Sequence, residues 1–161
     1  LITPFSYVEM LIGFVGSAVA RAVMVACLIL LVGLAFGAVT LVSPLGFLLY
    51  ISAIAAIFAM LGIVVALWAE SFEQLQVLNT FVITPLTYLG GIFYSITMLP
   101  PLAATITRYN PFFYFADGVR GSMTGYHEAN TTVGFFVIGG LVVGLGIIVT
   151  TLFRRGWKIR S

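Results

Sequence analysis

The chain of 161 residues is 61% hydrophobic and only 7% charged, against roughly 25% charged in a soluble domain. It is therefore expected to be an all-α integral membrane protein. A net charge of +2 is too small to imply a nucleic-acid partner, because most of the basic residues are gathered at the end, in Arg154, Arg155, Lys158 and Arg160.

Leu1 opens the chain without methionine, and no basic segment precedes a short apolar core, so no signal peptide is expected. The expectation is one transmembrane domain over 1–161, truncated at its N-terminus. Between Thr3-Pro4 and Met10, Ser6 and Glu9 have the spacing of a capping box, which predicts a helix start near the membrane surface. A helix crosses about 30 Å of hydrocarbon in about 20 residues, which predicts a first span over about 22–42. Arg21 then lies at the membrane edge, where its stem can snorkel.

Ser43-Pro44 is expected to break that helix, since proline cannot donate the next backbone bond. A second span follows over about 47–69, then a polar interruption from Glu70 to Gln74. The third span is placed at about 76–94 and the fourth at about 133–153. The basic tail directly after the fourth places the C-terminus in the cytoplasm. The only cysteine, Cys27, falls inside an apolar run, so neither an internal disulfide nor a cysteine metal site can form.

Gln76, Thr80, Thr84 and Thr87 recur at helical spacing and are expected to share one face of the third span. Such a face either bonds to a neighbouring helix or lines a transport path. Pro85 near its middle predicts a kink, with Thr84 placed to satisfy the freed backbone. Gly33 with Gly37, Gly140 with Gly144 and Gly13 with Ser17 have the spacing that permits close helix approach.

The segment over 97–127 interrupts the hydrocarbon-like sequence. Pro100-Pro101 opens one short helix, Asn110-Pro111 stops it and starts another, and Gly125 ends the second. Both are too short to cross, and their aromatics suit an interface, so a re-entrant outer hairpin is expected. Asp117 and Arg120, three apart, are expected to pair on one helical face. His127 has no histidine partner and no carboxylate cluster at ligand spacing, and reads as an interfacial residue. Asn130-Thr131-Thr132 matches a glycosylation sequon, a weak signal, and no phosphate-binding loop motif is present.

Taken in order, Thr3-Pro4-Phe5-Ser6-Tyr7-Val8-Glu9, the run Thr84-Pro85-Leu86-Thr87-Tyr88-Leu89-Gly90-Gly91-Ile92-Phe93-Tyr94, Leu99-Pro100-Pro101, Asn110-Pro111, Asp117-Gly118-Val119-Arg120, Arg155-Gly156 and Arg160-Ser161 resemble the permease subunits of type-2 ATP-binding-cassette exporters, the ABC-2 family. Within it they are similar to the branch that holds bacterial inner-membrane permeases and nodulation-factor exporters. The resemblance implies that the chain corresponds to the last four of six spans. It implies that Thr3, Pro4, Ser6 and Glu9 are the remnant of a cytoplasmic coupling helix and that Pro100, Asn110, Pro111, Asp117 and Arg120 belong to the outer hairpin. It further implies a homodimer in the bacterial inner membrane, docked on a separate ATPase that binds ATP and Mg, with no cofactor in this chain and an amphiphilic cargo moved outward.

Two other classes suit a polytopic chain. A secondary transporter or channel commonly carries ionisable groups near the midplane, which these span centres are expected to lack. A membrane-embedded glycan-lipid enzyme needs a polar constellation at one interface, for which Asp117, His127 and Glu128 are the available groups.

Overall fold

The computed structural model describes residues 6–154, and all regular structure among them is helical. Thr3 and Pro4, and the tail residues Arg155, Lys158 and Arg160, lie outside the described residues. The first helix, α1, runs Tyr7–Ala35 instead of 22–42. Its early start follows from the capping box, in which the Glu9 carboxylate accepts from the Ser6 amide at 2.7 Å. Its early stop comes from Gly37 at φ +65°, beyond which the Ala38 amide donates to Gly33 O and the Gly37 amide to Leu34 O. Gly33 and Gly37 thus form a helix terminus, not a helix contact, whereas Gly13, Gly140 and Gly144 face open space.

Ser43-Pro44 starts the second helix instead of breaking the first. The Ser43 hydroxyl accepts from the Gly46 amide at 3.1 Å and Pro44 occupies the first turn of α2, Pro44–Trp68. The connection between α1 and α2 is pinned to the end of a later helix: the Val42 and Ser43 amides donate to Met123 O and Ser122 O.

An interrupted helix follows, made of α3 (Phe72–Leu78), a π-helical turn (Asn79–Ile83) and α4 (Thr84–Tyr88). It starts before and ends before the expected 76–94 and is on the order of 25 Å long at about 1.5 Å per residue. Gly90 and Gly91 end it: Gly91 takes φ +74°, and a Cβ on Gly90 would lie 2.8 Å from Phe112 Cβ. After a short turn come α5 (Pro101–Tyr109), α6 (Pro111–Thr124) and α7 (Thr131–Arg154).

The central helix is α2, which touches α1, α6 and α7. Its Ile57 and Met60 form the core with Phe115 of α6 and Ile138, Leu145, Val149 and Phe153 of α7. Large apolar side chains such as Phe14, Ile29, Phe135 and Phe136 point outward. Such a surface suits lipid or further helices, not water. Helices α1, α2 and α7 are each long and apolar enough to cross a bilayer, so the chain is a multi-pass membrane protein.

Candidate functional site

Two features converge beside α2. The first is a polar latch between α6 and the segments around it. Gly125 at φ +76° reverses the chain after α6, so the following residues fold back along that helix. Gly121 has no side chain where the His127 ring lies; any Cβ there would collide with the imidazole. Asp117, only 3% exposed, accepts from the Glu128 amide at 2.6 Å and meets His127 Nδ1 at 3.1 Å. Arg120 donates to Gly91 O at 2.6 Å and pairs with Glu128 at 3.2 Å, and Glu128 also accepts from the Ile96 amide at 3.1 Å.

The expected Asp117–Arg120 pair is therefore not formed. Each has a partner beyond the Gly125 reversal: Asp117 accepts from the Glu128 amide and meets His127, while Arg120 bridges the Glu128 carboxylate to the Gly91 carbonyl ahead of α5. His127 is likewise a latch member and not an isolated interfacial residue. Burial acts to raise the Glu128 carboxyl, but the Ile96 amide, the Ser95 hydroxyl and the Arg120 guanidinium outweigh it and hold the group below its ordinary value.

The second feature is a cavity of about 750 Å³ walled by α2, α6, the α1–α2 connection and the end of the interrupted helix. Its wall is mostly apolar, with Thr40, Thr87, Thr124 and Arg120 as polar points. A size of this order with a few convergent polar groups is typical of a small-molecule site. The Thr87 hydroxyl itself donates to Ile83 O at 2.8 Å.

The four expected path residues do not line this cavity as one face. Thr87 reaches it, whereas Gln76 and Thr80 border a separate shallow groove beside Glu73, Val77 and Phe81. Thr84 is exposed, and its hydroxyl donates to Asn79 O at 2.9 Å. The π turn is the reason: its wider winding rotates the later hydroxyls relative to the earlier ones. The expected repair at Pro85 is not what Thr84 makes: its hydroxyl bonds to Asn79 O, which its own amide already reaches, and not to the Phe81 carbonyl that Pro85 leaves without a donor.

Asn110 joins hairpin to cleft. Its Oδ1 accepts from the Phe112 amide at 3.0 Å, capping α6, while its Nδ2 donates to Leu86 O at 2.8 Å, an end carbonyl of α4. Pro101 and Pro111 occupy the first turns of α5 and α6, with Pro100 preceding α5. At the opposite end of the bundle, Ser6 and Val8 border a small cavity with Thr150, Phe153 and Arg154, so the start of α1 lies beside the end of α7.

Sequence reasoning missed how far into the first helix Arg21 lies. The early start of α1 places it in the middle of that helix, exposed, in a groove it shares with Ile54 and Phe58 of α2. Counting from the Ser6–Glu9 capping box would have revealed its position.

A family model described as ABC-2 type transporter matches residues 1–124. The inner membrane transport permease YadH of Escherichia coli (strain K12) is 32% identical over 161 residues, covering 100% of this chain and 63% of the relative. Nodulation protein J of Neorhizobium galegae is 30% identical over 132 residues, covering 78% of this chain and 50% of the relative, and that of Rhizobium leguminosarum bv. viciae is 32% identical over 98 residues, covering 61% and 38%. The chain thus spans 63% of the length of the YadH relatives it matches. No solved structure matches it.

Proposed function

The chain belongs to the ABC-2 type transporter family, and from that premise we propose that it is the permease part of an ATP-driven exporter that moves an amphiphile outward across a bacterial inner membrane. The observation that carries this reading is the cleft between α2, α6 and the interrupted helix, apolar along its wall with hydroxyls and one guanidinium. An amphiphile needs such a mixed surface, because its tail gains from apolar contact while its head requires hydrogen-bond partners in place of water.

In this reading the interrupted helix is a fourth crossing beside α1, α2 and α7, with Pro85 and the π turn as its adjustable point. The tip of the hairpin at Asn110 dips into the outer leaflet: Phe112 stacks edge-on at 5.5 Å against Phe58, near the middle of α2. Backbone at that depth is tolerated because Asn110 and the end of α4 satisfy one another. Ser6 and Glu9, beside Arg154, then mark the cytoplasmic face and the coupling end, with Thr3 and Pro4 preceding them. A homodimer docks two ATPase subunits, which hold ATP and Mg, and nucleotide-driven closure biases the helices between two arrangements.

Arg21 favours a second reading, a secondary transporter, since midplane ionisable groups mark ion-coupled folds. A guanidinium offers hydrogen-bond donors and no acceptor, so in such a fold it serves as an anion site. Transport by inverted vesicles that hold permease and ATPase separates the two. The exporter requires ATP and tolerates collapse of ion gradients; uptake that follows a gradient without ATP contradicts it.

A further inference from the structure

Arg21 lies on α1 in a groove of about 790 Å³ between α1 and α2. Apart from Ser17 and Arg21, the lining is wholly apolar. Among the described residues Arg21 has no hydrogen bond and no ion pair. The acidic side chains of these residues do not reach it. Glu9 caps the start of α1, Glu70 and Glu73 follow the end of α2, Asp117 is held by His127, and Glu128 by Arg120. A cation midway along an apolar helix, with no counter-charge among the described residues, calls for an anion from outside them.

The groove also has a continuation. Ile51, Ile54 and Phe58 line both it and the 750 Å³ cleft that contains Thr87 and Arg120. The two spaces therefore meet along one face of α2, with the Arg21 guanidinium midway along α1 and hydroxyls toward the Ser43 end.

We infer that Arg21 is an anion-binding residue for a phosphate-bearing lipid, whose headgroup it engages while the tails lie along the apolar wall between α1 and α2. This rests on the exporter reading only in making that lipid the class of cargo. The guanidinium matches phosphate geometry with two parallel donors, and the small residues Ala18, Ala22 and Ala26 beside it leave room for a ligand against the helix.

The test uses the whole chain in phosphatidylcholine bilayers, with Trp68→Phe and Trp157→Phe as background and Val25→Trp as a reporter in the groove. Brominated phosphatidylglycerol and brominated phosphatidylcholine are compared as quenchers. With Arg21 in place, phosphatidylglycerol is expected to quench at about tenfold lower mole fraction. R21K retains part of that preference and R21Q abolishes it. Equal quenching by both lipids, or the same preference in R21Q, overturns the proposal. So does an R21Q variant that loses only self-association, which would assign the counter-charge to another helix. Because the measurement needs neither ATPase nor transport, its failure leaves the exporter reading standing, and gradient-driven transport with an intact lipid preference would do the reverse.

Discussion

Glu128 shows how much a single side chain can hold. Its carboxylate joins the Ile96 amide before α5 to Arg120 of α6, and its own amide is held by Asp117. Since its folded-state pKa lies below its ordinary value, the unfolded chain binds the extra proton first. The stabilisation is complete above the ordinary carboxylate pKa of about 4.3 and is lost as pH falls below it through the lowered folded value. Thermal unfolding of purified protein should show Glu128→Gln less stable than the parent at neutral pH, with the two curves converging under acid. A gap that persists unchanged into strong acid would assign the effect to packing instead. None of these partnerships was legible from spacing on one helix. Asp117 and Arg120 sit where a helical pair would form, but the Gly125 reversal brings His127 and Glu128 within reach, and an amide plus a carbonyl compete better than a neighbouring charge.

At the scale of elements, proline, asparagine and serine punctuation was readable because each acts on its own backbone. Asn110 with Pro111 and Ser6 with Glu9 start helices where local chemistry requires, whereas Ser43 with Pro44 reads as a break of the first helix and proves to be the start of α2. The lengths of α1 and of the interrupted helix were less legible. Membrane thickness says how long a crossing must be, but not where in a longer apolar run it lies. The π turn over Asn79–Ile83 carries no residue-type signal beyond Pro85 and Thr84, and it separates Thr87 from Gln76 and Thr80. Asn110 is the joint between two such elements. Asn110→Ala removes the α6 cap and leaves Leu86 O without its donor, which should cost about 1–3 kcal/mol. Asn110→Ser keeps a cap acceptor and loses the Leu86 bond without setting a second oxygen against that carbonyl, so its denaturation midpoint should fall between those of the parent and the alanine variant. Equal midpoints for all three would remove Asn110 from the joint.

For the whole molecule, composition and span arithmetic establish a helical multi-pass chain, and the ordered motifs indicate its family. What they do not contain is the arrangement of cleft and groove around α2, which depends on where α6 and the interrupted helix come to lie. The central claim is that this cleft opens and closes with nucleotide. Thr87, half-buried in its wall, can report that motion once Cys27 is replaced by serine. In vesicles holding permease and ATPase, Thr87→Cys should react with a water-soluble maleimide at rates that differ several-fold between the nucleotide-free and ATP-bound states. Equal rates in both states, with ATP hydrolysis verified, would contradict the account.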